Sequence, residues 1–413
     1  MTALSQPVLA DAPTPTRHSA RLVQFDSLRG LAALFVVFHH ACLTCWQFPA
    51  VAISPALAPW LGWLKYGHFS VTLFIVLSGF VIMRPLVSEV RSPSPRRLWR
   101  SFFQRRAFRI LPPYYVALAC SLALLVWFHG WKGLRFPDIV GHLLLVHDWG
   151  VGAYLSINGP MWSIPVEWHI YFLVPLVFLG WRKIGVVATT LLALVIGYAV
   201  FWLIPDPVLR DSAAPHFYAI FVLGGAAAIV ASHIETGVIR APSSPGTIVL
   251  AAGVIWAAST FIPSWDSFLQ NYAWCDLTFA VFASLALVFL AIEASWLRRL
   301  LSFRPLVGLG TMSYSLYLIH GPLLGYFDGK FAGKHGIPAD RKFMLLSFVA
   351  VPIILVAAYI FHRVVERPFL AWRPVSAKVP HGLDSAQVGA PSHSDAASVR
   401  ATWVGNEEKP VRC

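Results

Sequence analysis

Apolar residues run along this chain in blocks of about twenty rather than in short amphipathic stripes. Ten blocks stand out, at about 28–47, 68–87, 108–128, 160–180, 184–204, 215–233, 247–264, 273–294, 305–327 and 343–365. A helix needs ~20 apolar residues to cross the hydrocarbon core of a bilayer. The pattern therefore predicts an all-α, polytopic integral membrane protein with about ten transmembrane helices. The block at 160–180 is the least apolar, because it carries Glu167 and His169. No internal repeat and no soluble catalytic domain is visible, which leaves any chemistry to the bundle and its short loops.

Composition agrees with this reading: the chain is 57% hydrophobic and 12% charged, against about 25% charged in soluble domains. Lys and Arg then set the orientation. The connection after the second block holds Arg84, Arg91, Arg96, Arg97, Arg100, Arg105, Arg106 and Arg109, and alternate connections repeat the bias with Arg182 and Lys183, Arg240, and Arg298, Arg299 and Arg304. Lys330, Lys334, Arg341 and Lys342 run against it. The consistent solution puts both termini in the cytoplasm. The net charge of +13 is then mostly a topological signal helped by anionic lipid, and calls for no nucleic-acid partner. Residues 1–24 read as a disordered cytoplasmic segment without a cleavable signal peptide, 25–373 as the membrane domain, and 374–413, rich in Ser, Ala, Pro and Gly, as a disordered cytoplasmic tail.

The polar residues inside the blocks carry the chemistry. Arg29 and His40 are eleven residues apart, close to three helical turns, so they share one face about 16 Å apart along the axis. Such groups are costly in a bilayer and mark function. His39 faces about 100° away and reads as packing. Counting helical rise from each entry point places His40, Glu167 and His320 at similar depth in the outer half, with Ser78 near the middle of the second span. An imidazole there suits a general base or nucleophile, and Glu167 could fix its tautomer or stabilise the imidazolium. Arg29, Arg106 and Arg109, at the cytoplasmic mouth, suit a phosphate-bearing ligand. His129, His142, His147 and Asp148 fall in an outer loop and read as surface residues. Cys42 and Cys45 form C-x-x-C beside His39 and His40. Five cysteines do not complete a disulfide framework, no second ligand cluster accompanies the pair, and it reads as two small apolar residues rather than a metal or redox site.

At these residues the chain resembles the membrane-bound acyltransferase 3 family. Phe25-Asp26-Ser27-Leu28-Arg29-Gly30-Leu31-Ala32, closing on His40, is similar to that family's Arg-x10-His signature. Val71 to Phe80, with Leu77-Ser78-Gly79-Phe80, resembles its second-span motif, and Phe103-Gln104-Arg105-Arg106-Ala107-Phe108-Arg109-Ile110-Leu111-Pro112 its basic motif. Trp162-Ser163-Ile164-Pro165-Val166-Glu167, then Tyr171 to Pro175, resembles the fourth-span motif, and Ser313 to Pro322 and Val365-Glu366-Arg367-Pro368-Phe369 the closing ones. Six strings in order over nearly the whole apolar region make the likeness specific. Two positions depart: Thr72 and Trp168 stand where many members carry acidic residues, so a carboxylate is missing from span two and Glu167 is left alone in span four. No extracytoplasmic hydrolase-like domain follows the last span.

The resemblance implies an O-acyltransferase of a bacterial inner membrane. Its donor would be cytoplasmic acyl-CoA, acetyl-CoA foremost, and its acceptor a hydroxyl of a polysaccharide, glycolipid or similar molecule. No metal is called for. In that reading Arg106, Arg109 and Arg29 hold the phosphates. The pantetheine arm spans the distance to His40, which acts as base or acyl carrier. Glu167 supports His40, and Ser78 or His320 assists the oxyanion or acceptor. A transporter or flippase with a buried Arg/His/Glu path and a His/Cys redox protein are the competing classes. The absence of a repeat and the clustering of arginines at one mouth weigh against the first.

Overall fold

A computed structural model describes residues 23–47, 51–89, 95–131, 134–150, 153–332 and 336–371. The N-terminal segment through residue 22 and the tail from 372, both expected to be disordered, lie outside the described residues. Regular structure among the described residues is entirely helical. The principal helices are α1 (Val23–Cys45), α2 (His68–Glu89), α3 (Pro95–His129), α4 (Ser163–Ile184), α5 (Val186–Leu203), α6 (His216–Glu235), α7 (Pro245–Phe261), α8 (Trp265–Ile292), α9 (Arg304–Thr311), α10 (Ser313–Phe327) and α11 (Ala339–Leu370).

Each of the ten apolar blocks becomes helix, and eight helical stretches among the described residues are long and apolar enough to cross a membrane. The chain is thus a polytopic membrane protein. Two blocks differ from expectation. The seventh, α7, is a shorter helix of 17 residues. The ninth is broken at Met312 into α9 and α10. Gly308 and Gly310 weaken the helix there, and a methyl on Gly310 would collide with the main-chain carbonyl of Asp26. The break lets α9 lie directly on α1, while Ser313 Oγ turns back to bond the Gly310 carbonyl at 2.8 Å.

The arginine run after the second block is also not a loop. α3 starts at Pro95, so Arg100, Arg105, Arg106 and Arg109 ride on its first turns. Proline is favoured at a helix start, and arginine is a good helix former. Arg84 and Glu235, at the same end of α2 and α6, form an ion pair at 2.6 Å.

The largest departure lies between α3 and α4. His142, His147 and Asp148, read as surface residues, are fully buried, and so are Ile157, Asn158 and Met161. This segment folds into the bundle. Irregular backbone is tolerated at membrane depth only where protein satisfies its polar groups. Here Tyr114 Oη donates to the His142 carbonyl at 2.8 Å, and Asn158 Nδ2 donates to Ser121 Oγ at 3.1 Å and to the Leu318 carbonyl at 2.9 Å. α4 then begins at Ser163, four residues before Glu167.

α2 and α6 cross most closely. A methyl on Gly79 would meet the Phe221 carbonyl oxygen, and one on Gly224 the Val76 carbonyl oxygen. Small residues permit such backbone contact between membrane helices. Gly79→Ala should therefore cost about 1–3 kcal/mol through overpacking, read as a lower melting temperature in detergent, whereas Gly62→Ala, whose added methyl meets nothing within 4 Å, should leave it unchanged.

Candidate active site

Near the end of the bundle where the arginines gather, α1, α2, α3, α4 and α10 enclose a cavity with an empty volume of about 760 Å³, its mouth included. Its charged lining consists of Arg29, Arg106, Arg109 and Glu167. Three guanidiniums against one carboxylate leave it net positive. Arg106 and Arg109 are three residues apart on α3, hence on one face. The Arg106 guanidinium carbon lies 5.9 Å from the ring centres of both Phe102 and Tyr171, and its Nε is buried without a hydrogen-bond partner. Arg29 reaches Asp26 at 3.7 Å, a loose pair one turn away on α1. A buried guanidinium with unfilled donors is the group that takes an anionic oxygen.

Glu167 sits opposite. Ser78 Oγ donates to its Oε1 at 2.9 Å, and Tyr171 Oη, one turn along α4, donates to the same oxygen. The expectation that Glu167 orients His40 is not met: its partners are Ser78 and Tyr171. Glu167 faces the cavity that Arg29 also lines. Ser78, expected to assist an oxyanion or acceptor, instead serves as a donor to this carboxylate. Ser163 Oγ and Tyr317 Oη, also on the cavity wall, are 2.7 Å apart.

His40 is not part of the cavity lining. Its partner is His320, whose Nε2 lies 3.1 Å from His40 Nδ1. The surrounding carbonyls assign both tautomers. His320 Nδ1 faces the Leu316 and Tyr317 carbonyls at 3.1 and 2.8 Å, so it carries the proton and its Nε2 is the acceptor. His40 Nδ1 faces the Val36 carbonyl at 3.0 Å as well as that acceptor, so it too carries its proton. The basic nitrogen of His40 is therefore Nε2. Tyr317 joins the two places, since it lines the cavity and its ring centre lies 5.8 Å from that of His320.

His39 is a packing residue: its Nδ1 bonds the Leu64 carbonyl at 2.7 Å and its ring fills the space beside Gly67. Cys42 is buried in the apolar cluster with Val37 and Ala41. Among the described residues, no three His, Cys, Asp or Glu side chains form a group that could hold a metal ion. Glu366, in the last motif, accepts from Ser315 Oγ at 2.5 Å and from His362 Nδ1 at 2.9 Å, pinning α11 to α10.

In the buried segment before α4, His142 and His147 stack face to face at 3.8 Å. Burial pushes the His147 imidazole down from 6.5 to about 3, and lowers His142 as well, while burial raises the Asp148 carboxyl. A folded-state value below the unfolded one means that the unfolded chain binds the extra proton between those values. The histidine contribution is complete above about pH 6.5 and is lost as pH falls towards 3. The melting temperature in detergent should fall between pH 7 and pH 5, and His147→Phe should flatten that dependence.

Sequence reasoning missed Tyr171, Tyr314 and Tyr317 as cavity residues, although all three lie in the motifs it singled out. The signal was the i, i+4 spacing of Glu167 and Tyr171, which puts a hydroxyl beside the carboxylate.

With this geometry in place, comparison with known proteins narrows the class. The family described as "Acyltransferase domain" matches residues 22–363. The peptidoglycan O-acetyltransferase OatA of Listeria monocytogenes is 27% identical over 340 residues, covering 75% of this chain and 50% of that protein. The acyltransferase MdmB of Streptomyces mycarofaciens is 27% identical over 405 residues, covering 89% and 98%. The O-acetyltransferase OatA of Staphylococcus aureus is 22% identical over 335 residues, covering 74% and 53%. The chain spans about half the length of the two OatA proteins. No solved structure matches.

Proposed function

The chain belongs to this acyltransferase-domain family, and from that premise we propose that it transfers a short acyl group, acetyl foremost, from cytoplasmic acyl-CoA to a hydroxyl of a carbohydrate or glycolipid acceptor at the far side of a bacterial inner membrane. The catalytic domain is residues 25–373, with both termini cytoplasmic. One observation carries the donor assignment: Arg29, Arg106 and Arg109 converge on a single cavity, and the buried Arg106 Nε has no partner. Acyl-CoA brings several phosphate charges, and it matches a cavity lined by three arginines and one carboxylate. The transferases named above supply the acceptor class, since OatA of Listeria is a peptidoglycan O-acetyltransferase.

The adenine-nucleotide end docks on the three arginines by charge-assisted hydrogen bonds. The thioester is carried past Tyr317 towards His40, along the ~16 Å that separates Arg29 from His40 on α1. His40 Nε2 is the reacting nitrogen, as base or as acyl carrier. His320 fixes its tautomer from behind, which is the supporting role the sequence had given to Glu167. Glu167, held by Ser78 and Tyr171, stays at the donor cavity and bounds its positive charge.

The test is binding of acetyl-CoA and longer acyl-CoAs to the purified protein in detergent, with release of free thiol followed in parallel. Saturable binding with slow thiol release supports the assignment and reads out chain-length preference. Well-folded protein that binds no acyl-CoA would remove the donor and bring a transporter reading forward.

A further inference from the structure

A second polar centre lies outside the donor cavity. Asp276, in the middle of α8, is fully buried. Its Oδ2 accepts from His68 Nε2 at 2.7 Å and from His216 Nε2 at 3.1 Å, and its Oδ1 accepts from Thr72 Oγ1 at 2.6 Å. One carboxylate thus ties α2, α6 and α8 together. It also explains Thr72: the carboxylate missing from that position of span two is supplied by α8.

The three side chains around Asp276 are not equivalent. His216 and Thr72 are fully buried, whereas the His68 side chain is 25% exposed. A carboxylate oxygen against Nε2 requires that this nitrogen carry the proton, so in the neutral ring His68 Nδ1 holds the lone pair and is the nitrogen that can meet a ligand. A carboxylate behind an imidazole also stabilises the cation formed when that lone pair takes a proton.

Position adds the second half of the argument. His68 lies ten residues from Ser78 on α2, about 15 Å away from the arginine end. His40 lies about 16 Å from Arg29 on α1, in the same direction. The His39 ring, next to His40, packs on Gly67, next to His68. Two imidazoles with open nitrogens therefore stand at one level, beyond the donor cavity. Beside His68 are the partly exposed rings of Trp162, parallel to it within 6° at 6.5 Å, and Tyr272, edge-on at 5.3 Å. Aromatic rings beside a hydrogen-bonding group suit a molecule with both C–H faces and hydroxyls, such as a pyranose.

We propose that His68, backed by Asp276, forms the acceptor site: its Nδ1 binds a sugar hydroxyl and takes that hydroxyl's proton. The inference rests on the acyltransferase reading and gives each imidazole one role. In the first step His40 Nε2 attacks the thioester carbon, the C–S bond breaks, and the thiolate leaves with its electron pair and is protonated by water. His40 is then an acyl-imidazolium. In the second step the acceptor O–H bond breaks and its proton goes to His68 Nδ1. The oxygen bonds to the acyl carbon, and the C–N bond breaks with its electrons returning to His40. The His68 imidazolium, paired with Asp276, releases its proton to water.

Water is an acceptor present in every assay, so the proposal is tested without knowing the sugar. Purified protein is mixed with acetyl-CoA, and thiol release is resolved into a first-turnover burst and a steady-state rate. For His68→Gln the expected result is an unchanged burst and unchanged kcat/KM for acetyl-CoA, with the steady-state rate lowered about 100-fold, KM falling with it, and the rate restored in part by added imidazole. An unchanged melting temperature shows that the fold is intact. Asp276→Asn should lower the steady-state rate in the same direction. A His68→Gln protein that turns over at the wild-type rate overturns the acceptor site. Wild-type protein that binds acetyl-CoA but shows no burst overturns the two-step assignment while leaving the donor cavity standing. Failure to bind acetyl-CoA at all is the failure of the acyltransferase donor reading itself.

Discussion

His40→Ala should lower acyl transfer by about a thousand-fold, while acetyl-CoA still binds with near wild-type affinity. The factor is the size expected when a positioned general base or a covalent nucleophile is removed. Binding survives because His40 does not line the cavity that holds the arginines. His320→Gln should have a smaller effect, about 10- to 100-fold, because a glutamine oxygen can still accept the His40 Nδ1 proton but holds the ring less firmly. His320→Leu, which removes the acceptor, should approach the His40→Ala loss. Thiol release from acetyl-CoA, measured beside equilibrium binding of the same compound, separates the two quantities. Wild-type transfer by His40→Ala would move the chemistry to Glu167, the carboxylate among the cavity-lining residues.

Arg106→Ala is expected to act on the other quantity. It removes a buried guanidinium whose Nε has no protein partner, so the loss falls on the ligand. Truncating one side of a buried charge-assisted pair costs about 2–5 kcal/mol, which corresponds to at least a 30-fold weaker affinity for acetyl-CoA. The first-turnover rate at saturating donor should change little. Arg106→Lys should recover part of the affinity, because a lysine keeps the charge but not the fork of donors. Glu167→Gln supplies the opposite sign: with the opposing carboxylate neutralised, an anionic donor should bind more tightly. Titrations of wild type and the three variants at two salt concentrations check this set, and equal affinity in all of them would show that the arginines serve topology alone.

The helices were legible in the sequence because a bilayer imposes one requirement, a long apolar run, and each of the ten runs became helix. The grouping of charge was legible too, since Arg29, Arg106 and Arg109, all expected at one end of their spans, line one cavity. What stayed hidden were features that depend on which side chains meet rather than on which residues a helix contains. Glu167 was placed beside His40 by counting helical rise, but similar depth does not fix a contact, and its partners are Ser78 and Tyr171. His142, His147 and Asp148 were misplaced for the same reason: a polar stretch between two apolar runs reads as a surface loop unless its partners are known, and Tyr114, His169 and Ser212 lie on other elements. The break at Met312 was written in Gly308 and Gly310, which an apolar average over twenty residues smooths out. Asp276 escaped notice because it was one acid in a long apolar helix, and its partners His68, Thr72 and His216 come from two others.

The glycine crossing of α2 and α6 has a consequence for how such a protein can diversify. Ser78, which anchors Glu167, is the neighbour of Gly79, and Gly79 rests on the main chain of Phe221. The anchor's position is therefore set by backbone against backbone and not by the identity of surrounding side chains. Substitutions around Trp162 or Tyr272 can change the surroundings of His68 without shifting that anchor. Lineages or engineers could vary those rings while the arginine-lined cavity that the anchor borders is inherited intact.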